Sequence, residues 1–209
     1  MITIIDFKMG NLGSIANMLK KIGYPSRISD KLNEIEDADK IILPGVGHFD
    51  KAMNNLNGLG FRDVLNRKAL EEKVPILGIC LGMQLLAEKS EEGKLPGLGW
   101  IRGKVKKFSF NFHNKHLKVP HMGWNIVYQQ KINPLFKDMY PDPRFYFVHS
   151  YYMKCDHAGD VDATCDYGGP VTAAIRKKNI FATQFHPEKS QCHGLRILKN
   201  FLKWSPDHA

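Results

Sequence analysis

The 209-residue chain has few cysteines, no long apolar run and no excess of acidic residues. Its four cysteines, at positions 80, 155, 165 and 192, form no Cys-x-x-Cys pair, which argues against a disulfide scaffold. No apolar run approaches the ~20 residues of a membrane span, and the N-terminus lacks the basic, apolar and small-residue regions of a signal peptide. The nine histidines show no paired spacing for zinc. We therefore expect a cytoplasmic protein without a membrane partner, a metal or another cofactor.

Basic residues outnumber acidic ones, 30 to 21, and the whole excess lies in the second half of the chain. Residues 1–100 hold 13 of each sign, whereas residues 101–209 hold 17 basic and 8 acidic side chains. A positive charge attracts phosphates, so a nucleic-acid-binding protein is one candidate class. Its best support is the RGKVKKF run at 102–108 with Lys115 and Lys118, but this run alternates like a strand whose charges face solvent. We expect no nucleic acid partner.

Composition and pattern both indicate a folded α/β protein. The chain is 43% hydrophobic and 24% charged, which excludes disorder. In the first hundred residues, short β-branched runs that are apolar on both faces alternate with helical periodicity, as in parallel strands covered by helices. The strand-like runs are residues 2–6, 40–45 and 74–80, and the helical patterns are residues 11–22 and 61–72.

The second half has a different sequence pattern, in which apolar and polar residues alternate. Its strand-like segments are residues 103–110, 119–128, 145–153 and 171–185, and a last helix is indicated over 194–204. No internal repeat or low-complexity linker interrupts the chain. We therefore expect one domain, residues 1–209, with a three-layer αβα sandwich that has a mostly parallel central sheet plus antiparallel strands in the second half.

The strongest local signal is GICLG at 78–82, where an apolar strand ends and the helical run LGMQLLAEK begins. It has the form of a nucleophile elbow with Cys80 in the position of the nucleophile. Gly78 and Gly82 supply the small neighbours that such a turn requires, and the turn places the sulfur at a helix N-terminus, which favours the thiolate. The other interpretation is a small buried hydrophobic side chain, the usual role of a Cys in an apolar strand.

FATQFHPEKS at 181–190 supplies the other groups that a Cys nucleophile needs. A short apolar strand ends there in His186, Pro187 and Glu188. The imidazole can act as the base, and the carboxylate can orient the imidazole. Taken alone, the segment would be an ordinary surface loop. Together with the elbow, it predicts a Cys-His-Glu triad.

A third segment, PGVG at 44–47, follows another parallel-type strand. Its two glycines let backbone N–H groups approach a ligand, as the second wall of an oxyanion hole requires. On its own PGVG is an ordinary turn at the end of a strand. Its place at the carboxyl edge of the sheet, where ligands bind in open α/β folds, favours the functional interpretation.

GICLGMQ, PGVG and QFHPE, in the chain order Cys, His, Glu, together resemble the class I (triad) glutamine amidotransferases over essentially the whole chain. Within that family, DFKMGN, GMQ, PHMGWN and FVHSYY are most similar to the glutaminase subunits of imidazole glycerol phosphate synthases. Relatives that make anthranilate or carbamoyl phosphate typically have His in place of Met83 and lack the MGWN segment.

The resemblance implies hydrolysis of L-glutamine to glutamate and ammonia through a thioester on Cys80. His186 would protonate the departing ammonia and then activate water, with Glu188 holding the imidazole. The backbone N–H groups implied in holding the oxyanion are those of Leu81, Val46 and Gly47. The residues implied in glutamine binding are Gln84, Glu92, Ser150 and Tyr151.

The resemblance also implies a second protein, because the glutaminase fold fills the 209 residues and leaves none to use the ammonia. In this family the partner is a (β/α)8-barrel cyclase, reached through an ammonia channel, which makes imidazole glycerol phosphate and a purine precursor in histidine biosynthesis. The positions that face the barrel match Asn11, Trp124 and Lys189. In isolation, Trp124 would be a core or hairpin aromatic and Lys189 a solvated charge.

Two features depart from the histidine-pathway pattern. Lys8 stands where those members commonly have Gly, and FVHSYYMKC is similar to paralogues that feed ammonia to enzymes amidating a bacterial cell-surface sugar. That paralogue is the alternative function, with the same glutaminase chemistry and another acceptor. The acid-free basic stretch at 102–118 either steers an acidic partner surface toward the chain or only aids solubility. Its basic residues are Arg102, Lys104, Lys106, Lys107, Lys115 and Lys118.

Overall fold

The structure, a computed structural model, describes residues 1–110 and 117–205, so Lys115 lies outside the described residues. The strands are β1 (Ile2–Ile5), β2 (Ser26–Ser29), β3 (Lys40–Leu43), β4 (Ile76–Ile79), β5 (Lys89–Ser90), β6 (Gly103–Lys107), β7 (His121–Ile126), β8 (Tyr128–Gln129), β9 (Arg144–His149), β10 (Tyr151–Cys155), β11 (Val161–Asp166), β12 (Pro170–Lys177) and β13 (Ile180–Thr183). The α-helices are α1 (Leu12–Lys21), α2 (Leu32–Glu36), α3 (Phe49–Gly58), α4 (Phe61–Asn66), α5 (Leu81–Gln84) and α6 (Gln191–Lys203). A π-helical turn, Arg67–Glu71, continues α4.

The largest sheet among the described residues has the strand order β2-β1-β3-β4-β13-β12-β11-β8. Its first five strands are parallel to one another, and the last three join them in antiparallel pairs. β1, β4 and β13 are buried along their whole length, as strands covered on both faces must be. The predicted α/β fold, mostly parallel with antiparallel strands from the second half, is confirmed.

Two apolar clusters, one on each face of this sheet, form the core. Leu19 of α1 and Phe201 of α6 belong to one cluster, and Phe49 of α3 belongs to the other. Neighbouring residues of a strand point to opposite faces, so Ile4 packs into the first cluster and Ile5 into the second. The helices therefore form outer layers on both sides of the sheet, and the carboxyl ends of the parallel strands meet at one open edge.

Two smaller sheets complete the described part and close over that edge. β7 pairs antiparallel with β9, while β10 pairs antiparallel with β6 and β6 pairs parallel with β5. The sequence pattern indicated one strand over 145–153; the structure has two strands with a break at Ser150. The register of β7 on β9 sets His121 opposite His149.

The helix predicted from LGMQLLAEK is shorter than expected, because α5 ends at Gln84. The carbonyl groups that would continue it, those of 85–87, accept hydrogen bonds from N–H groups of the 98–101 loop at 2.8–3.1 Å. Gly97 allows this approach, since a Cβ there would lie 2.1 Å from the carbonyl oxygen of Ala87. The Cys80 turn thus opens onto a single helical turn, and the dipole of a long helix is not available to its thiolate.

Other boundaries differ by less. The segment 171–185 is two strands, β12 and β13, joined by a turn at Lys178 with φ of 55°. The pattern gave no indication of β2, α2, α3 or β11. No helix among the described residues is long and apolar enough to cross a membrane.

Candidate active site

Cys80 lies at the sharp turn between β4 and α5, where the elbow pattern predicts it. Its φ of 54° and ψ of −107° lie outside the backbone conformations that residues with a side chain favour. The turn is held in place because the N–H of Cys80 donates to the carbonyl of Thr183 on β13 at 2.7 Å. A Cβ at Gly82 would lie 1.9 Å from the carbonyl oxygen of Leu43, and one at Gly78 would lie 3.0 Å from the backbone of Gly82. The turn therefore requires glycine at position 82, and a Cβ at position 78 would make a tight contact with it.

All four cysteines are free thiols. Burial raises the pKa of the Cys155 and Cys165 thiols to about 12, so neither forms a thiolate near neutral pH. Cys192 is exposed in the first turn of α6. Cys80 is the cysteine that the fold places beside an imidazole.

His186 and Glu188 lie in the loop after β13, the strand that pairs with β4. Nδ1 of His186 lies 2.7 Å from Oε1 of Glu188, and both side chains are only 1% exposed. Burial by itself lowers the pKa of His186, but the interactions with Cys80 and Glu188 outweigh it and raise this pKa to about 10. The other ring nitrogen, Nε2, has no hydrogen-bond partner among the described residues. Glu188 therefore holds the imidazolium at Nδ1, while the charged ring also interacts with the sulfur of Cys80.

A cavity of about 280 Å³ brings together most of the residues expected at the site. The expected residues that line it are Val46, Gly47, Cys80, Leu81, Gln84, Glu92, Ser150, Tyr151 and His186. Val148 and His149 line it as well, which the sequence did not indicate. Glu188 lies behind the imidazole. A larger cavity, of about 750 Å³, lies beside the C-terminal end of α6 and contains none of these residues.

Gln84 and a residue missed in the sequence, Gln184, form a bridge beside the sulfur. Nε2 of Gln84 donates to the carbonyl of Tyr151 at 2.8 Å and to Oε1 of Gln184 at 3.1 Å, which leaves Oε1 of Gln84 for a ligand. Nε2 of Gln184 in turn donates to Sγ of Cys80 at 3.7 Å. An N–H group aimed at the sulfur stabilises a thiolate. The only signal for Gln184 was its place in QFHPE, beside His186.

Glu92 is fixed in the cavity wall by the start of α3. Its Oε2 accepts a hydrogen bond from the N–H of Phe49, the first residue of that helix, at 2.9 Å. A carboxylate suits this position, because the N-terminus of a helix carries partial positive charge. The second carboxylate oxygen is left to face a ligand in the cavity.

The backbone N–H groups expected to hold an oxyanion are not all free in this conformation. The N–H of Leu81 donates to the carbonyl of Gly45 at 3.3 Å, a long and therefore weak hydrogen bond. Gly47 has a φ of 111°, and a Cβ there would lie 2.8 Å from Cε of Met9. The carbonyl of Gly45 in PGVG thus accepts the hydrogen bond that the N–H of Leu81 could give to an oxyanion. This N–H becomes available to an oxyanion only when the Gly45 carbonyl turns away.

The three positions expected to face a partner lie at the same end of the fold. The ring of Trp124, 47% exposed, meets the ring of Tyr146 edge-on at 6.1 Å. Nζ of Lys189 lies 5.6 Å from the centre of the same Tyr146 ring, a cation–π contact. Asn11 precedes α1, which contacts the Pro187–Lys189 turn, and its Oδ1 accepts from the hydroxyl of Ser14 at 2.9 Å.

The basic stretch alternates as its sequence indicates only at the start of β6, because Lys107, on the same face as the buried Val105, is exposed. In β6 the side chain of Lys104 is exposed, Val105 is buried, and Lys106 is half-buried with Nζ 3.9 Å from Glu91. Within residues 1–110 and 117–205, no group of His, Cys, Asp and Glu side chains is placed to hold a metal ion.

A family model for class I glutamine amidotransferases matches residues 3–204. The chain belongs to this family. A crystal structure of a glutamine amidotransferase has the same fold, with a TM-score of 0.73 and 18% identity over 97% of each chain. The structure of PurLQS from Thermotoga maritima gives a TM-score of 0.69 at 18% identity, over 96% of each chain.

Curated relatives are much more similar in sequence. The imidazole glycerol phosphate synthase subunit HisH of Leptospira interrogans is 50% identical over 201 residues, 96% of this chain and 98% of that protein. Subunit HisH 2 of Methanococcus maripaludis is 50% identical, over 97% of this chain and 99% of its own. Subunit HisH 2 of Pseudomonas aeruginosa is 45% identical over the same shares. The resemblance predicted from the motifs, to the family and to these subunits within it, is confirmed.

Proposed function

We propose that the chain is the glutaminase subunit of an imidazole glycerol phosphate synthase and supplies ammonia for histidine biosynthesis. The observation that carries this proposal is the cavity in which the thiol of Cys80 and an imidazolium held by Glu188 meet the predicted glutamine-binding residues. The half-identical HisH relatives support the same assignment. We take residues 1–209 as one glutaminase domain that works in the reducing cytoplasm, where Cys80 stays a free thiol.

The first half of the reaction forms a thioester. The thiolate of Cys80 attacks the side-chain carbonyl carbon of glutamine, and the carbonyl oxygen becomes an oxyanion. When the tetrahedral intermediate collapses, the C–N bond breaks and His186 gives its Nε2 proton to the leaving nitrogen, which departs as ammonia. Glu188 keeps the imidazole oriented and stabilises its charged form.

The second half releases glutamate. Neutral His186 takes a proton from a water molecule, whose oxygen attacks the thioester carbonyl. The C–S bond then breaks, so that glutamate leaves and the thiolate–imidazolium pair returns. One glutamine and one water have become one glutamate and one ammonia.

The ends of glutamine have complementary partners in the cavity walls. The free oxygen of Glu92 and Oε1 of Gln84 accept hydrogen bonds from the α-ammonium group. Ser150 and Tyr151, at the break between β9 and β10, hold the α-carboxylate. This arrangement directs the side-chain amide of glutamine toward Cys80, which is what selects glutamine over amides that lack the amino acid end.

The oxyanion site depends on a partner. Leu81 cannot donate to an oxyanion while its N–H is bonded to Gly45, so the isolated chain is expected to be slow. We infer that a (β/α)8-barrel cyclase docks at Asn11, Trp124 and Lys189, turns the PGVG segment and frees the amides of Leu81, Val46 and Gly47. The ammonia then passes through a channel into the cyclase.

Replacement of Cys80 tests the nucleophile. In the complex with cyclase and its substrate, Cys80→Ala and Cys80→Ser should lose glutamate release, while Cys192→Ala, at an exposed cysteine, should keep it. Ammonium chloride should restore product formation in the Cys80→Ala complex, which shows that folding and docking are intact. Wild-type glutamate release by Cys80→Ala would refute the assignment.

One observation favours the alternative acceptor, an amidated cell-surface sugar. Lys8 stands where histidine-pathway members commonly have Gly, adopts a φ of 66°, and pairs with Asp6 at 3.1 Å and Asp30 at 2.8 Å. It therefore adds a fixed charge near Asn11 at the partner end. The chain should be mixed separately with a histidine-pathway cyclase and with a sugar-amidating enzyme. The true partner is the one whose acceptor substrate makes glutamine hydrolysis faster.

A further inference from the structure

A continuous chain of hydrogen bonds connects strand β7 with the sulfur of Cys80. Nδ2 of Asn125 lies 3.3 Å from Nε2 of His121, and Nδ1 of His121 lies 3.0 Å from Nε2 of His149. Nδ1 of His149 lies 2.8 Å from the carbonyl oxygen of Tyr151. The same oxygen accepts from Gln84, and the bridge through Gln184 described above leads on to Sγ of Cys80.

Only one placement of protons satisfies the two rings. The carbonyl of Tyr151 can only accept, so Nδ1 of His149 carries a proton and Nε2 of this neutral ring accepts. Nδ1 of His121 must then carry a proton, and Nε2 of His121 accepts from the amide of Asn125. Both rings are neutral, because burial lowers the pKa of His121 to about 4 and that of His149 to about 3. A second proton on either ring would set two donors against each other.

The two faces of β7 differ sharply. Met122 and Trp124 point outward and are 61% and 47% exposed, which makes this edge an apolar surface. His121, on the inner face, is 3% exposed and stacks on Phe147 at 4.7 Å and on Tyr167 at 3.9 Å. If contact on the outer face moves β7, the ring of His121 moves with it. This ring belongs to the chain of hydrogen bonds that leads to the active site.

We propose that His121 and His149 are positioning residues that transmit docking on β7 to the Tyr151 carbonyl, and through Gln84 and Gln184 to the sulfur of Cys80. The inference rests on the proposed function, because it takes the partner to cover Met122 and Trp124. A shift of His121 changes its hydrogen bond to His149 and so the position of the Tyr151 carbonyl. That carbonyl fixes one N–H of Gln84, whose other N–H orients Gln184.

The predicted tautomers can be observed directly. Nitrogen NMR of the full chain, labelled in its histidines, should show both rings neutral at pH 7 with the proton on Nδ1. This is the less common form of a free imidazole, so its presence in both rings reports the chain of hydrogen bonds. A proton on Nε2 in either ring would overturn the inference.

A matched set of variants tests the transmission. His121→Phe keeps an aromatic ring against Phe147 and Tyr167 but removes both hydrogen bonds, whereas His121→Asn keeps an N–H donor near the position of Nδ1. Tyr167→Phe is the control, because it changes the same stack and removes only the hydroxyl that donates to the carbonyl of Lys118 at 2.7 Å. Thermal melting should show that each variant is folded at the assay temperature, with His121→Phe somewhat less stable because it leaves Nε2 of His149 without its donor.

The first readout is the ratio of glutamate release with and without the cyclase and its substrate. His121→Phe should lower this ratio about three- to tenfold, the equilibrium effect of one net hydrogen bond. His121→Asn should recover most of the ratio, and Tyr167→Phe should keep it. An unchanged ratio in His121→Phe, or an equal loss in Tyr167→Phe, would overturn the inference.

The second readout needs no partner and separates this inference from the proposed function. In a Cys192→Ala background, the rate at which iodoacetamide alkylates Cys80 should change at least about twofold in His121→Phe, as expected for a weakened hydrogen bond to a thiolate, and stay constant in Tyr167→Phe. If the cyclase fails to stimulate the wild type, the proposed function fails. If His121→Phe leaves the alkylation rate unchanged, the transmission fails, whichever partner the chain has.

Discussion

The proton on His186 is held by two neighbours whose effects oppose burial and raise the pKa of this ring to about 10. Glu188→Gln keeps an acceptor for Nδ1 but removes the negative charge. We expect the pKa of His186 to fall in this variant, and glutamate release in the complex to fall by up to roughly 10⁴-fold, as when the carboxylate that orients a catalytic imidazole becomes an amide. Titration of the ring by NMR measures the first effect. An unchanged pKa would contradict the role of Glu188.

Two other rings make the protein sensitive to acid. The folded-state pKa values of His121 and His149, about 4 and about 3, lie below the ordinary value of about 6.5, because burial disfavours the charged rings. Below pH 6.5 the unfolded chain therefore binds protons that the folded chain excludes. The contribution of the neutral rings to the free energy of unfolding is complete above pH 6.5 and is lost progressively as the pH falls toward their folded-state values.

Urea unfolding between pH 7 and pH 4 measures this loss. As the pH is lowered, the free energy of unfolding should fall less steeply in His121→Phe than in the wild type, because one of the two rings is gone. His157→Phe, at an exposed histidine, is the matched control and should keep the wild-type slope. Equal slopes in the wild type and in His121→Phe would show that the pKa of His121 is the same in the folded and the unfolded chain.

Individual site residues differ in how far the sequence predicts them. Cys80, His186 and Glu188 stand in short motifs, so the sequence alone predicts that they lie together, as they do in the structure; their catalytic roles stay a prediction. Gln184 and His149 were missed, because their roles arise from pairing: β13 lies beside β4, and β9 carries His149 opposite His121. A sequence shows which residues are present, whereas contacts between strands distant in the chain require the topology.

At the scale of elements, the turn between β4 and α5 depends on the absence of a side chain at Gly82. A Cβ there would lie 1.9 Å from the carbonyl oxygen of Leu43, which belongs to β3 and cannot move alone. Gly82→Ala should lower the free energy of unfolding by about 2 kcal/mol or more, within the usual range for overpacking, and should abolish glutamate release. Urea unfolding measures the first effect and an assay of the complex the second.

Gly13 offers the control for this substitution. It lies in α1, and a Cβ there meets nothing within 4 Å. Gly13→Ala should raise the free energy of unfolding by roughly 0.5–1 kcal/mol, because alanine loses less conformational freedom in a helix. If both substitutions destabilised the protein equally, the close contact at Gly82 would not be the cause.

The elements missed in the sequence share weak or interrupted patterns. In β2, SRIS has Ile28 as its only apolar residue, and that side chain is 42% exposed, so no alternation marks the strand. α3 does place Phe49, Met53 and Leu56 at helical spacing and buries all three, but two Asn residues between them and Asn-Gly after them mask the pattern. The early end of α5 has no local cause at all, because the loop that captures its carbonyl groups comes more than ten residues later.

At the scale of the whole molecule, the proposed function makes activity depend on the partner that covers the exposed apolar end of the fold. Trp124 presents nearly half of its surface to solvent beside Met122, whereas β4, which leads to Cys80, is buried along its whole length. Large exposed aromatic rings are frequent centres of binding energy in interfaces. The amide of Leu81 is bonded within the same chain, so under the proposed function a partner that binds here also causes the rearrangement that frees this amide.

Trp124→Ala should therefore weaken the complex with the cyclase about tenfold or more, the loss typical when a central aromatic is truncated. Leu70→Ala is the matched control, because Leu70 is 53% exposed but borders the turn between β12 and β13 at the opposite edge of the sheet. Calorimetric titration measures both affinities. At cyclase concentrations that saturate the variant, glutamate release should recover if Trp124 only binds, and should stay low if its contact also drives the rearrangement at Gly45. An equal loss of affinity in both variants would place the partner elsewhere.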